Sequence, residues 1–350
     1  MEGKGGRILS LDVLRGLTVA CMILVNNGTA DSFPALRHAV WNGLTLSDMV
    51  FPFFLFIMGI SIHFSRKGKP GQILRRTGII ILICWGIRYV EYALGGDFLP
   101  WAHFRLTGVL VRIALCYLAA ALLCLYAPAR LLPWLSGMLL AGYTMLLLCG
   151  SGYAQDASNI LSVADRALLG EAHLYHKSPV DPEGLLSTLP ALAHTLLGCI
   201  CGRMLKRDAS LPERLRRMAL YGLILAGAGL LLSLWLPLNK RIWSPSYALF
   251  TSGCCALLLA ALGWLVDLRG CRGWTPFFEA FGRNALAIYI LSELLSAVAG
   301  QTGFSDWLYG LLSGVCPYLP AAALLYALFF VGINWLVAYI LYRKRIFVKI

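Results

Sequence analysis

Long apolar stretches alternate along the whole chain with short clusters of turn-forming and charged residues. The stretches fall at 10–27, 47–64, 77–93, 107–125, 133–149, 185–205, 218–236, 247–266, 277–297 and 320–342. A helix needs about 20 apolar residues to cross a bilayer core, so this pattern predicts about ten transmembrane helices joined by short loops. A further run at 306–315 is too brief to cross and is expected to be re-entrant or interfacial. The first run contains Asp12 and Arg15 and lacks a small-residue cleavage site, so it reads as a retained span and not a signal peptide. No repeat or soluble domain interrupts the series. The expected architecture is an all-α, polytopic membrane helical bundle, with residues 1–350 forming one transmembrane domain.

Composition agrees. Of 350 residues, 59% are hydrophobic and only 13% charged, with a mean hydropathy of +0.73, whereas soluble domains carry about a quarter charged residues. A soluble enzyme and a disordered chain are both excluded. The net charge of +13 invites a nucleic-acid reading until the basic residues are placed on the loops. With the N-terminus inside, the inner segments hold Lys4, Arg7, Arg66, Lys67, Lys69, Arg75, Arg76, Arg130, Arg203, Lys206, Arg207, Arg214, Arg216, Arg217, Arg269, Arg272, Arg343, Lys344, Arg345 and Lys349. The outer segments hold only Arg37, Arg105, Arg166, Lys177, Lys240 and Arg241. The positive-inside rule therefore predicts two cytoplasmic termini and removes the case for nucleic acid. The 11 cysteines lie mostly within apolar runs and form no CxxC pair, as small hydrophobes do. The longest outer loop, 150–184, is a candidate cap over an outward-facing site.

Charges inside apolar runs are the first candidates for chemistry. Arg15, Arg88, Arg112, Arg283, Asp12, Glu91, Glu279 and Glu293 stand within or at the ends of spans, where a central charge costs roughly 2.5–3.5 kcal/mol. They are expected to face a polar interior, or to form structural ion pairs and snorkelling ends. In the first span Asp12 and Arg15 are three apart and Asn26 is eleven further on, which puts all three on one helix face. That stripe predicts a polar route through the membrane. The following loop carries His38, Trp41, Asn42 and Asp48. An imidazole can act as a base near neutrality and an indole can stack on a sugar ring, but a loop histidine can equally be structural, Trp41 an interfacial anchor and Asp48 an N-cap. Asp181 and Glu183 would attract an ammonium-bearing sugar or cap the next helix. Arg75, Arg76, Arg203 and Lys206 are candidates for phosphate recognition, a role that competes with plain topology. His173 and His176 make half a zinc site without a third ligand, so no metal is expected. Phosphate-loop, dinucleotide and serine-elbow motifs are absent from the sequence.

Seven stretches carry a resemblance: LDVLRGL at 11–17, LVN at 24–26, HAVWNGLTLSD at 38–48, FPFFLFIMG at 51–59, GVLVRI at 108–113, DPEGLL at 181–186 and GRNAL at 282–286. Together they resemble the heparan-α-glucosaminide N-acetyltransferase family, multi-spanning enzymes with bacterial relatives. The resemblance implies transfer of an acetyl group from cytoplasmic acetyl-CoA, without a metal, to the amine of a terminal glucosamine or related amino sugar on the far side of the membrane. It implies that His38 is catalytic and that Asn26 belongs to the same site. Asn42 joins Trp41, Asp48, Asp181 and Glu183 as candidate acceptor contacts, and Arg112 and Asn284 join Asp12 and Arg15 on the polar pathway. The sequence begins at the catalytic region, without the family's large outward N-terminal domain and preceding span. A lysosomal heparan substrate is therefore not assumed, and a bacterial inner membrane is the expected setting.

The residues suit this chemistry. Acetyl transfer needs an unprotonated amine aimed at a thioester carbonyl and a donor for the oxyanion. His38 can take the amine proton, and the Asn26 amide can hydrogen-bond the carbonyl or the substrate. Direct transfer and an acetyl-His38 intermediate both fit. An O-acetyltransferase of cell-envelope glycans shares the same logic, and a transporter shares the polar interior, although paired halves are not visible in the sequence. Contacts with membrane lipid are expected, and a homo-oligomer is compatible with the pattern.

Overall fold

The computed structural model describes residues 8–65, 69–176, 178–205 and 209–348. These contain thirteen α-helices and no strand: α1 (Leu9–Asn26), α2 (Leu46–Phe64), α3 (Pro70–Leu94), α4 (Val109–Tyr126), α5 (Leu132–Cys149), α6 (Ile160–Leu169), α7 (Thr188–Leu205), α8 (Leu211–Leu232), α9 (Pro245–Leu262), α10 (Thr275–Arg283), α11 (Ala285–Gln301), α12 (Phe304–Val315) and α13 (Leu319–Arg343). Among the described residues, nine helices are long and apolar enough to cross a membrane: α1 to α5, α7, α8, α9 with the π-helical turn that continues it, and α13. The chain is a multi-pass membrane protein.

The expected straight span at 277–297 needs correction. It is two helices, α10 and α11, bent by 82° at their junction. Hydropathy averages over the break and cannot see it. Asn284 caps α10 with non-helical backbone, and its side chain is committed to the C-terminal segment, donating to the Ile346 carbonyl at 2.9 Å and accepting from Val348 N at 2.8 Å. Such a side-chain tie stabilises the break that Gly282 and Asn284, both poor helix formers, already favour. Counted as one broken span, the pair brings the total to ten. The helix α12 has 12 residues and is about 18 Å long, too short to cross, as the sequence suggested. α3 and α8 start several residues before their apolar runs, because the arginine-bearing segments that precede those runs are helical too.

α2 and α7 form the centre, each with 67% of its span buried, against 17% for α3 at the periphery. Lipid tails are as apolar as leucine, so helices in a bilayer associate through close packing, which favours small residues at crossings. A Cβ added at Gly59 on α2 would lie 2.1 Å from the Thr195 carbonyl oxygen, and one at Gly198 on α7 would lie 2.2 Å from that of Phe56. Gly16 and Gly282 do the same for α1 against α10, with added Cβ atoms 1.8 Å and 2.1 Å from backbone oxygens. These crossings draw α1, α2, α7 and α10 together and so fix the ends of α1 and α2, where the polar residues gather.

Candidate functional site

His38 sits in the loop between α1 and α2, and Asp48 in the first turn of α2. The imidazole Nδ1 lies 2.8 Å from Asp48 Oδ1. The other carboxylate oxygen accepts from Ala39 N, Thr45 N and Thr45 Oγ1 at 3.1, 3.2 and 2.9 Å. Asp48 therefore caps α2 and orients His38 at the same time. A carboxylate only accepts, so Nδ1 carries the proton and Nε2 is left with a lone pair. This is the carboxylate-imidazole half of a nucleophile-activating triad.

Lys240, in the loop between α8 and α9, brings its ammonium 3.0 Å from Nδ1, 3.3 Å from Nε2 and 3.5 Å from Asp48 Oδ1. A position close to both ring nitrogens lies off their lone-pair axes, so the cation stands beside the ring without blocking Nε2. Burial pushes Lys240 below the ordinary lysine range, against the pull of Asp48 and Glu183.

These groups open on a cavity of about 230 Å³ lined also by Asn26, Tyr175, Glu183, Arg241 and Tyr289. A second cavity of about 360 Å³ adjoins it through Val109, Glu183 and Tyr289, and brings Arg88, Glu91, Arg105 and Glu293 to the wall. Glu183 faces both. It is held at 2.8 Å by Arg105 Nη2, which also grips Asp181 at 2.8 Å. Asp181 is saturated by Arg105, Thr107, Tyr175 N and Glu183 N, so it builds the turn and does not line the first cavity.

The far side of that turn rests on Asp165 of α6. Its Oδ1 accepts from Leu185 N at 2.9 Å, while Oδ2 is buried without a partner among the described residues, and a Cβ at Gly184 would lie 1.8 Å from it. Burial raises the Asp165 carboxyl to about 6, with Leu185 N opposing. An acid raised in the fold and ordinary in the unfolded chain favours folding while protonated, and that contribution is lost as pH rises to about 6. Asp165→Asn keeps the acceptor for Leu185 and removes the charge. Thermal unfolding should show the variant more stable than wild type by roughly 1–3 kcal/mol above pH 6, with the two converging near pH 4. A pH-independent difference would contradict this account.

Several expected residues stand behind the cavity and not in it. Trp41 donates Nε1 to the Tyr153 carbonyl at 3.0 Å and packs against Tyr143, Leu147 and Ile242, pinning the 150–184 loop. Asn42 accepts from Asn239 Nδ2 at 3.0 Å, tying its loop to the Lys240 segment. Arg112 is fully buried, donates to the Gly184 carbonyl at 3.0 Å and to Ser187 Oγ, and lies over Trp243. It braces the 181–186 turn and lines neither of the two cavities. His173 is held at the Phe104 carbonyl.

At the other end of α1, Arg15, Arg76, Arg283, Ser61, Tyr117 and Asn284 line a cavity of about 260 Å³. Arg15 is anchored by Asp12 at 3.0 Å and Ser61 at 2.9 Å. Of the three expected phosphate residues that are described, Arg76 lines this cavity, whereas Arg75 and Arg203 are exposed elsewhere. Lys206 lies outside the described residues, as do Lys4, Arg7, Arg66, Lys67, Lys177, Arg207 and Lys349. The first and basic cavities follow the same helices. α2 lends Phe51 to one and Phe54 to the other, and α4 lends Val109 and Ile113. Residues three and four apart are neighbours on one face, so about one helical turn separates the two.

Sequence reasoning missed Lys240, Tyr289 and the roles of Arg105 and Glu293. A signal for two of them existed: Arg105 and Lys240 are among the few basic residues assigned to the outer face.

Residues 7–236 match the family model described as heparan-alpha-glucosaminide N-acetyltransferase, catalytic. The chain is 30% identical to the Homo sapiens protein named heparan-alpha-glucosaminide N-acetyltransferase, over 98% of this chain and 60% of that protein. It is 29% identical to the Mus musculus protein of the same name, over 100% of this chain and 61% of that protein. The chain thus spans about three fifths of the length of these curated relatives.

Proposed function

Since the chain belongs to the heparan-alpha-glucosaminide N-acetyltransferase catalytic family, we propose that it moves an acetyl group from acetyl-CoA to the amine of a glucosamine or related amino sugar across the membrane. The observation that supports this most is that the cavity holding a carboxylate-oriented imidazole and an arginine-lined cavity follow the same helices, their nearest wall residues about one turn apart.

In this reading the phosphates of acetyl-CoA meet Arg15, Arg76 and Arg283 on the cytoplasmic side, and the narrow pantetheine arm follows α1, α2 and α4 towards His38. The amino sugar enters from the outer side beside Glu183, whose charge attracts an ammonium. His38 Nε2 takes a proton from the amine as its nitrogen attacks the thioester carbonyl. The tetrahedral intermediate collapses with cleavage of the C–S bond, and the His38 imidazolium returns the proton to the departing thiolate, so that CoA leaves as a thiol and Nε2 is free again. Asp48 stabilises the imidazolium, and the Lys240 ammonium is the donor nearest the ring for the developing oxyanion.

Two measurements bear on this. Arg76→Gln and Arg283→Gln should each raise the KM for acetyl-CoA roughly tenfold, the size of one charge-assisted contact, and leave the acceptor KM unchanged. Arg75→Gln, outside the cavity, should change neither, and equal effects from all three would remove the donor assignment. The acceptor class is tested with purified protein, acetyl-CoA and either glucosamine, N-acetylglucosamine or glucose, with products read by mass spectrometry. N-acetylation of glucosamine alone is expected. Acetylated glucose, with glucosamine untouched, would turn the reading to O-acetyl transfer.

A further inference from the structure

Asn26 ends α1 and Glu293 lies on α11, and the two meet at the junction of the first and second cavities. The Asn26 Nδ2 donates to Glu293 Oε1 at 2.9 Å. Tyr289, one turn before Glu293, lines both cavities beside this pair. A carboxylate only accepts, so this hydrogen bond sets the orientation of the amide: the NH2 of Asn26 is turned to Glu293 and its Oδ1 away from it. The adjacent Asn27 does not compete, because it donates to the Ile23 carbonyl at 2.8 Å and accepts from Ser296 Oγ at 2.9 Å.

We propose that Glu293 is a positioning residue that turns the Asn26 carbonyl oxygen into the cavity, where it accepts an N–H from the incoming amine. This rests on the acetyltransferase reading above and changes one part of it. Asn26 holds the attacking nitrogen, through the side of its amide that Glu293 does not engage. An amine attacks with its lone pair while its N–H bonds point away, so an acceptor on that side orients the nitrogen and steadies the positive charge that builds on it.

The test exchanges the two functional groups. Asn26→Asp sets a carboxylate against Glu293 and should lower acetyl transfer to glucosamine by roughly a hundredfold or more. Adding Glu293→Gln restores a donor-acceptor pair: the new amide donates to one oxygen of the new carboxylate, and the other oxygen faces the cavity. The double variant should recover at least tenfold over Asn26→Asp alone. A second readout comes from Glu293→Gln by itself, which should raise the glucosamine KM roughly tenfold and leave the acetyl-CoA KM within about twofold. A merely structural role predicts the opposite: no recovery in the double variant, and both KM values moving together. Either result, with an active wild type, overturns this proposal and leaves the acetyltransferase reading standing. An inactive wild type overturns both.

Discussion

Asp48→Asn should lower acetyl transfer roughly 10³- to 10⁴-fold in a protein that still folds. The three donors on Asp48 Oδ2, Ala39 N, Thr45 N and Thr45 Oγ1, require an acceptor at that position. The asparagine must therefore place its oxygen there and turn its NH2 towards His38 Nδ1. That inverts the tautomer: Nδ1 becomes the acceptor, the proton moves to Nε2, and the lone pair that would take the amine proton is gone. The same exchange in a serine-protease triad costs about 10⁴ in kcat for the same reason. His38→Ala removes the base outright and should cost roughly 10²- to 10⁴-fold, with little effect on folding, since 43% of the imidazole is exposed. The measurement is turnover by variants whose thermal unfolding matches wild type. Activity within about tenfold of wild type in folded Asp48→Asn would mean that the carboxylate only caps α2.

The largest effect on stability is expected at the α2–α7 crossing. A Cβ at Gly198 would lie 2.2 Å from the Phe56 carbonyl oxygen and 2.9 Å from its carbonyl carbon. Backbone cannot rotate away as a side chain can, so Gly198→Ala must separate the two central helices. Overpacking in a well-fitted core costs roughly 1–3 kcal/mol, and a backbone contact this close belongs at or above the upper end. Gly142→Ala on α5, where nothing lies within 4 Å of the added methyl, should be neutral or stabilising by up to about 1 kcal/mol, the helix-propensity gain. Melting temperatures of the two variants in one detergent settle the matter. If Gly198→Ala melts with Gly142→Ala, the crossing is not the close backbone contact described.

Much of this architecture was legible because a bilayer imposes one coarse length on every span. Nine helices follow from apolar runs alone. The break at Asn284 was not legible, since it depends on hydrogen bonds to residues 346 and 348, some sixty positions away. Local patterning also shows Asp48 only as a cap or an acceptor contact, not as the partner of His38. Its second role needs the loop after α1 to fold back and bring a residue ten positions earlier onto its free oxygen. A charge within an apolar run predicted an interior Arg112 on the polar pathway; the side chain is buried, but it braces the 181–186 turn from behind and lines neither cavity beside His38, because polarity does not say which neighbour an interior arginine holds. Arg105 and Lys240 show the reverse. Their position on a face otherwise poor in basic residues was a departure from the topology rule, and both are paired with the carboxylates of the site.

In the proposed reaction one chain carries acetyl groups from a donor on its basic face to an amine on the other. Its most direct test is a sealed vesicle holding glucosamine inside, with the purified protein inserted and isotopically labelled acetyl-CoA supplied only outside. Labelled N-acetylglucosamine is expected in the lumen of vesicles whose basic face is outward, and none when the protein carries His38→Ala. Product formed only when donor and sugar share one compartment, or product that persists without His38, would contradict it.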